Sequence, residues 1–215
     1  MTWSLVAGAL AKGDDLRSAA AHAAFERLLQ ANGVLVSVGG GPTRIHPRLK
    51  NLNILCERGV DVAGTAYQLP FADASIGGIH CEAVLEHLEL PDAAVAEMHR
   101  VLKPGALVFA ATPFLQPYHA YPDHYQNFTL RGHTRLFERA GFAVLDAGTC
   151  VGPTFAMVDL AANYAREFMP GRLPSRALER LIRTAGRAVR LPDVRLRHHR
   201  SSEKLASSTF VLAQR

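Results

Sequence analysis

The stretch Val34 to Pro42, VLVSVGGGP, decides the fold. Val34, Leu35, Val36 and Val38, interrupted only by Ser37, have the near-continuous apolar character of a strand buried on both faces. Gly39, Gly40 and Gly41 then let the chain turn sharply, with no side chain between the backbone and whatever approaches it. In an open α/β sheet such a turn lies at the carboxyl end of the strand, in the crevice where ligands bind. A glycine turn alone fits a tight, empty strand-to-helix connection equally well, so the flanking chain has to decide.

Upstream, Leu16, Ala19, Ala20, Ala23, Leu28 and Leu29 recur at helical spacing between Asp14 and Gln30, and Asn32-Gly33 supplies a stop. Downstream, Pro47 to Asn51 reads as a connection, Leu52 to Leu55 as a second strand and Val60 to Ala63 as a short third. Ile76 to Cys81 is the next strand, Leu90 to Val101 a helix ended by Lys103-Pro104-Gly105, and Ala106 to Ala111 a further strand. Thr129 to Ala140 returns to helix, Phe142 to Ala147 to strand, and Ser208 to Leu212 supplies a last strand. Strands alternating with helices predict an α/β fold with a mainly parallel sheet.

A chain of 215 residues with 48% hydrophobic content makes one domain with extensions. The expected division is a core over 33–150 that carries the glycine turn, an aromatic, histidine-rich lid insertion at 114–128, a helical extension at 151–207 and a possible last strand at 208–213. No stretch approaches the ~20 apolar residues of a membrane-spanning helix. The first eleven residues, without a charged leading segment, read as an arm or first helix and not as a secretion signal. Cys56, Cys81 and Cys150 are odd in number and widely spaced, which disfavours a disulfide framework or zinc site and suits a reducing cytoplasm.

The order of motifs resembles a class I S-adenosylmethionine-dependent methyltransferase. The pieces are VLVSVGGGP, NLNI at 51–54, GTAYQLPFADAS at 64–75, CEAVLEHL at 81–88, EMHRVLKPGALVFAATP at 97–113 and ERAGF at 138–142. The resemblance implies a Rossmann-like, seven-stranded mixed sheet with helices on both faces, its last strand antiparallel. It also implies S-adenosylmethionine as cofactor, with Gly39, Gly40 and Gly41 offering close backbone approach. Asn53 then stands where the family grips the ribose, Ile54 beside it, and Thr65 and Ala66 stand where the adenine edge is read. Glu82, in CEAVLEHL, joins the same site. Asn53 and Thr65 replace two acids of the family pattern, Thr43 stands for a third glycine and Gly78 for an acid of the fourth strand. A carboxylate accepts bonds about twice as strong as a neutral group does, so the two losses together weaken donor binding by roughly 1–3 kcal/mol. A nicotinamide cofactor is disfavoured, since its fingerprint wants glycine at Arg44 and an acid at the end of the second strand.

Methyl transfer needs the nucleophile in line with the sulfonium methyl and often a base for its proton. The insertion YHAYPDHY at 118–125 offers His119 as base, with Asp123 or Tyr125 orienting it or the substrate. The same residues also suit a lid held by aromatic packing. His119, Asp123 and His124 have spacings an ion could use, but no second cluster supports them and no metal is expected. His87 in LEH reads as a tie between its loop and a backbone carbonyl.

Between Ser175 and Leu191, at ~100° per residue, Arg176, Arg180, Arg183, Arg187 and Arg190 share one helix face, opposite Leu178, Leu181, Ile182, Ala185, Ala188 and Val189. Arg195, Arg197 and Arg200 extend the charge. Such a helix either docks with its arginines in water or makes peripheral contact with an anionic membrane or acceptor. Nucleic acid fits less well, for want of a binding motif. Two functional readings remain. One is S-adenosylmethionine-dependent methylation, at oxygen, of a small-molecule or lipid-linked acceptor. The other is a methyltransferase fold without catalysis, serving as a binding or scaffolding subunit.

Overall fold

The computed structural model describes residues 16–42, 44–120, 123–196 and 199–215, with the backbone alone for 187–194. The N-terminal arm, Thr43, and the side chains of Arg187, Arg190 and Arg197 therefore lie outside the described residues.

Helix α1 (Ala19–Leu29) starts later than its apolar pattern does, because Ser18 caps it. The Ser18 hydroxyl accepts from Ala21 N and donates to Thr149 O at 2.7 Å, so the cap also fixes the helix to the sheet. Seven strands follow: β1 (Leu35–Val38), β2 (Leu49–Asn53), β3 (Val62–Ala63), β4 (Ile76–Glu82), β5 (Leu102–Pro113), β6 (Ala143–Val151) and β7 (Ser208–Gln214). They form one sheet in the order β3-β2-β1-β4-β5-β7-β6. β1 to β5 run parallel, whereas β7 lies antiparallel between β5 and β6. The expected mixed sheet is thus present.

Helices cover both faces. Against one face pack α2 (Pro91–Val101) and α3 (Leu130–Arg139), burying Val95, Met98, Leu136 and Phe137 over Val36, Val38 and Ile79. Against the other packs α1, with Phe25 and Leu28 over Leu35, Phe109 and Phe210. Each large side chain so buried contributes about 1.5–3 kcal/mol of transfer free energy.

Two strands begin earlier than expected. β2 begins at Leu49, inside the stretch that reads as a connection. Lys50 and Asn51 break the apolar run, yet Asn51 is buried because its amide serves the glycine turn described below. In β5, pairing jumps from Ile76 opposite Leu102 to Gly78 opposite Leu107, so Lys103-Pro104-Gly105 bulges within a strand that begins where α2 ends. Arg100 locks this end of the fold. Its guanidinium donates to the carbonyls of Leu69 and Phe71 and to Asp73 and Glu97, while Glu97 accepts from Leu69 N at 2.9 Å. The pieces LPFAD and EMHR are therefore halves of one clamp.

After β6 the chain forms α4 (Pro153–Phe168) and α5 (Arg172–Leu196). The latter starts three residues earlier than expected, since Pro174 in its first turn sacrifices no helical hydrogen bond.

Candidate active site

The glycine turn stands at the carboxyl end of β1, clamped from behind and open in front. Gly39 N donates to Leu52 O at 2.8 Å. Its φ of +70° needs glycine, and a Cβ there would meet Val84 Cγ2 at 2.3 Å. Asn51 Nδ2 donates to the carbonyls of Gly41 (2.7 Å) and Gly59 (3.0 Å), fixing the turn from the neighbouring strand. At Gly41, φ is +63° and a Cβ would meet nothing within 4 Å. This open cradle, with no side chain in it, fits the close backbone approach that a methyl donor requires.

Asn53 ends β2 beside the turn, and its Oδ1 accepts from the N–H of exposed Ile54 at 2.8 Å. Gly64 N donates to Asn53 O at 3.0 Å, which brings Thr65 and buried Ala66 to the same edge. The Thr65 hydroxyl accepts from Tyr67 N at 3.3 Å. Gly78 lies elsewhere: a Cβ there would meet Leu28 Cδ1 at 2.7 Å, so its smallness admits α1 against the sheet.

Glu82 ends β4 and is held by residues that sequence reasoning passed over. Arg17 Nη2 donates to Glu82 Oε2 at 2.6 Å while its guanidinium lies 4.5 Å above the Phe25 ring. His80 stands between Glu82 Oε2 at 3.2 Å and the Ser37 hydroxyl at 3.1 Å. Burial pushes the Glu82 carboxyl up, but the Arg17 charge and the His80 bond outweigh it and hold the group down at about 2. Burial pushes His80 below the usual range of an imidazole. An arginine just before a helix of alanines is the one signal that could have found this pair.

The histidine-rich insertion does come over the carboxyl edge of the sheet. There Glu86, His87 and His119 present their ligand atoms within 4.8 Å of one another. Glu86 is fully buried and both carboxylate oxygens lack a hydrogen-bond partner; burial raises its carboxyl to about 8. His87 shares Nδ1 with Asp123 O at 2.6 Å, the carbonyl tie expected of it. His119 shares Nδ1 with Pro117 O at 2.9 Å, which leaves its buried Nε2 without a partner. Burial lowers both imidazoles below their ordinary value. The orienting contact on His119 is thus Pro117, not Asp123 or Tyr125. Asp123 and Tyr125 act through their main chains, the latter donating its N–H to Glu86 O at 2.9 Å.

The arginine-bearing α5 packs antiparallel on α4, as the pairs Asp159–Arg183 (2.8 Å) and Arg166–Glu179 (3.8 Å) require. Arg183 is therefore pinned between Asp159 and Glu179, not presented to a surface ligand. Arg176 and Arg180 are exposed. The apolar side of the hairpin is exposed as well: Met157, Tyr164 and Phe168 of α4 are 65–73% exposed and Leu181 of α5 is 64% exposed. No described helix is long and apolar enough to cross a membrane.

The sheet order and its covering helices are the Rossmann-like fold of class I methyltransferases, and known proteins resemble the chain in the same sense. A family profile described as a methyltransferase domain matches residues 44–110. An uncharacterized methyltransferase of Schizosaccharomyces pombe is 38% identical over 64 residues, 30% of this chain and 23% of that protein. The chain thus aligns with under a quarter of that relative's length. Among solved structures, a possible histamine N-methyltransferase of Thermotoga maritima superposes at a TM-score of 0.56, 17% identical, over 91% of this chain and 87% of that one. The geranyl diphosphate C-methyltransferase of Streptomyces coelicolor superposes at 0.56, 14% identical, over 91% and 77%. The [4+2]-cyclase SpnF superposes at 0.57, 17% identical, over 91% and 79%.

Proposed function

We propose that this chain transfers a methyl group from S-adenosylmethionine to an oxygen of a small-molecule or lipid-linked acceptor. The observation that carries the reading is the open cradle at Gly41 beside Asn53 and Thr65, with the Glu86–His87–His119 cluster at the same edge of the sheet. In this reading 1–215 is a single methyltransferase-like domain and 114–128 its lid. The donor supplies an electrophilic methyl on a sulfonium. Gly39 to Gly41 approach it through the backbone, Asn53 meets the ribose, Ile54 covers the adenine, and Thr65 and Ala66 read its edge. Glu82, already bound by Arg17, stiffens the wall of that pocket. His119, its Nδ1 tied to Pro117, turns a basic Nε2 into the pocket and receives the acceptor's proton. Burial lowers the imidazole below its ordinary value, which favours the neutral form that a base requires.

Isothermal titration with S-adenosylmethionine and its demethylated product tests this directly. Binding below millimolar concentration supports the reading, and its absence defeats it. A binding or scaffolding subunit is the second reading, favoured by the neutral Asn53 and Thr65. The same titration decides, since a fold without its donor site would bind neither compound.

The α4–α5 hairpin supports peripheral contact with an anionic membrane on the cytoplasmic side. Over 151–207 the chain has eleven Lys and Arg against five Asp and Glu, a local charge of +6 where the whole chain carries +5. Two such copies repel, whereas an anionic surface attracts them, and the exposed Met157, Tyr164, Phe168 and Leu181 give the hairpin apolar side chains for the interface.

A further inference from the structure

We infer that Glu86, His87 and His119 form a site for one divalent first-row cation, such as zinc, facing the methyl acceptor; the role given to the ion rests on the methyl-transfer reading above. Three buried side-chain atoms at this place are otherwise unexplained: both oxygens of Glu86 and Nε2 of His119 have no hydrogen-bond partner. A buried unpartnered polar atom costs about 1–3 kcal/mol, and more where it is charged, so three in one pocket need a common ligand.

The tautomers are already set for a metal. His87 and His119 each direct Nδ1 at a backbone carbonyl, Asp123 O at 2.6 Å and Pro117 O at 2.9 Å. Each therefore keeps its proton on Nδ1 and offers the Nε2 lone pair, the outer-shell arrangement that orients metal-ligating histidines. The Nε2 of His87 lies 3.8 Å from Glu86 Oε1. Atoms no more than 4.8 Å apart all lie within about 2.8 Å of a common point, so contraction by under ~1 Å reaches bond lengths of ~2.0–2.2 Å. His124 is excluded as a ligand although its ring centroid is 4.3 Å from that of His119. Its Nδ1 accepts from His119 N and its Nε2 meets Asn127 Oδ1.

Two histidines and one carboxylate leave coordination positions open, the pattern of a catalytic and not a structural ion. The open position takes the acceptor's hydroxyl or enol oxygen. Coordination releases the O–H proton to solvent, the oxygen lone pair forms the new C–O bond, and the electrons of the breaking C–S bond return to sulfur, giving a neutral thioether. With the ion bound, His119 is a ligand and the ion replaces it as the group that activates the acceptor.

The test is titration of chelator-stripped full-length protein with zinc by calorimetry, and with cobalt by visible spectroscopy. One ion per chain is expected, with tetrahedral or five-coordinate cobalt bands, and at least tenfold weaker zinc binding in Glu86→Gln, His87→Gln and His119→Gln. Far-ultraviolet circular dichroism and melting of each variant establish that it folds. No stoichiometric zinc binding by the wild type, or zinc affinity unchanged in the folded variants, overturns the site. Donor binding and methyl transfer measured on the same stripped protein keep the two readings apart. Methylation that persists without any zinc binding removes the ion and leaves methyl transfer standing. Zinc binding without donor binding defeats methyl transfer and supports the site.

Discussion

Arg17 Nη2 and Glu82 Oε2 meet at 2.6 Å although 65 positions separate them, and both side chains are almost wholly withdrawn from water. The pair fastens the segment before α1 to the carboxyl end of β4, where the candidate donor site begins. Removing one partner strands a buried charge, so Arg17→Ala and Glu82→Gln should each cost about 3–5 kcal/mol, and the double variant less than their sum. Glu82 is held at about 2 in the fold against 4.5 when free. A depressed carboxyl stabilises the fold above the free value and loses that contribution as pH falls toward 2. Urea unfolding at pH 7 and pH 3 should therefore show Arg17→Ala costing less at the lower pH; an equal cost at both would contradict the pairing.

Burial alone lowers His133 to about 3, while its Nδ1 lies 3.1 Å from the Thr209 hydroxyl. The unfolded chain takes up this proton near the ordinary imidazole value of 6.5, the folded chain only near 3. Stability from this residue is complete above the unfolded value and lost as pH falls between the two. The melting temperature of the wild type should fall across that window, and in His133→Phe this part of the slope should vanish. A parallel pair of curves would rule out His133 as its source.

Gly41 and Gly39 should respond differently. Gly41→Val meets open space, so its cost is the strain of φ +63° on a branched residue, roughly 1–2 kcal/mol, and the folded variant should lose donor binding. Gly39→Ala drives a methyl into Val84 and should lower stability first. Calorimetric titration on the folded Gly41 variant is the check, and retained donor affinity would take the turn out of the site.

Asn53→Asp should tighten donor binding by up to tenfold. One carboxylate oxygen can keep the bond from Ile54 N that Oδ1 now accepts, and the other becomes free to accept ribose hydroxyls. Unchanged or weaker affinity would place the ribose elsewhere.

For the hairpin, co-sedimentation with anionic vesicles should occur at low salt, weaken as the Debye length falls toward ~3 Å at molar ionic strength, and be absent on neutral vesicles. Arg176→Gln with Arg180→Gln should reduce it, and Tyr164→Ser with Phe168→Ser should reduce it independently. Arg183→Gln, by contrast, should act on hairpin stability because that guanidinium serves Asp159 and Glu179. Equal sedimentation of all variants would return these arginines to the role of a solvated face.

The sheet was legible in the sequence because its signals are local. Leu35 to Val38 and Ala106 to Ala111 are largely apolar runs of the kind a strand covered on both faces accommodates, and glycines or prolines punctuate them. The glycine turn at the end of β1 followed from the same local signals, whereas Asn53 and Thr65 were singled out only through the resemblance to a family.

What only the tertiary structure decided concerns polar residues that gain partners far along the chain. Asn51 reads as a break in a strand, yet it is buried because its amide holds the carbonyl of Gly41 across to the next strand. Arg17, Glu82 and His80 meet because α1 crosses the sheet, a relation no window of sequence contains. His119 was visible as a histidine, but the tautomer that frees its Nε2 comes from the fold of its own loop at Pro117, and its neighbours Glu86 and His87 come from the end of another strand. Hydrophobic periodicity records which face a residue buries. Which polar groups then face each other depends on how the elements cross, and that is settled only when the core packs.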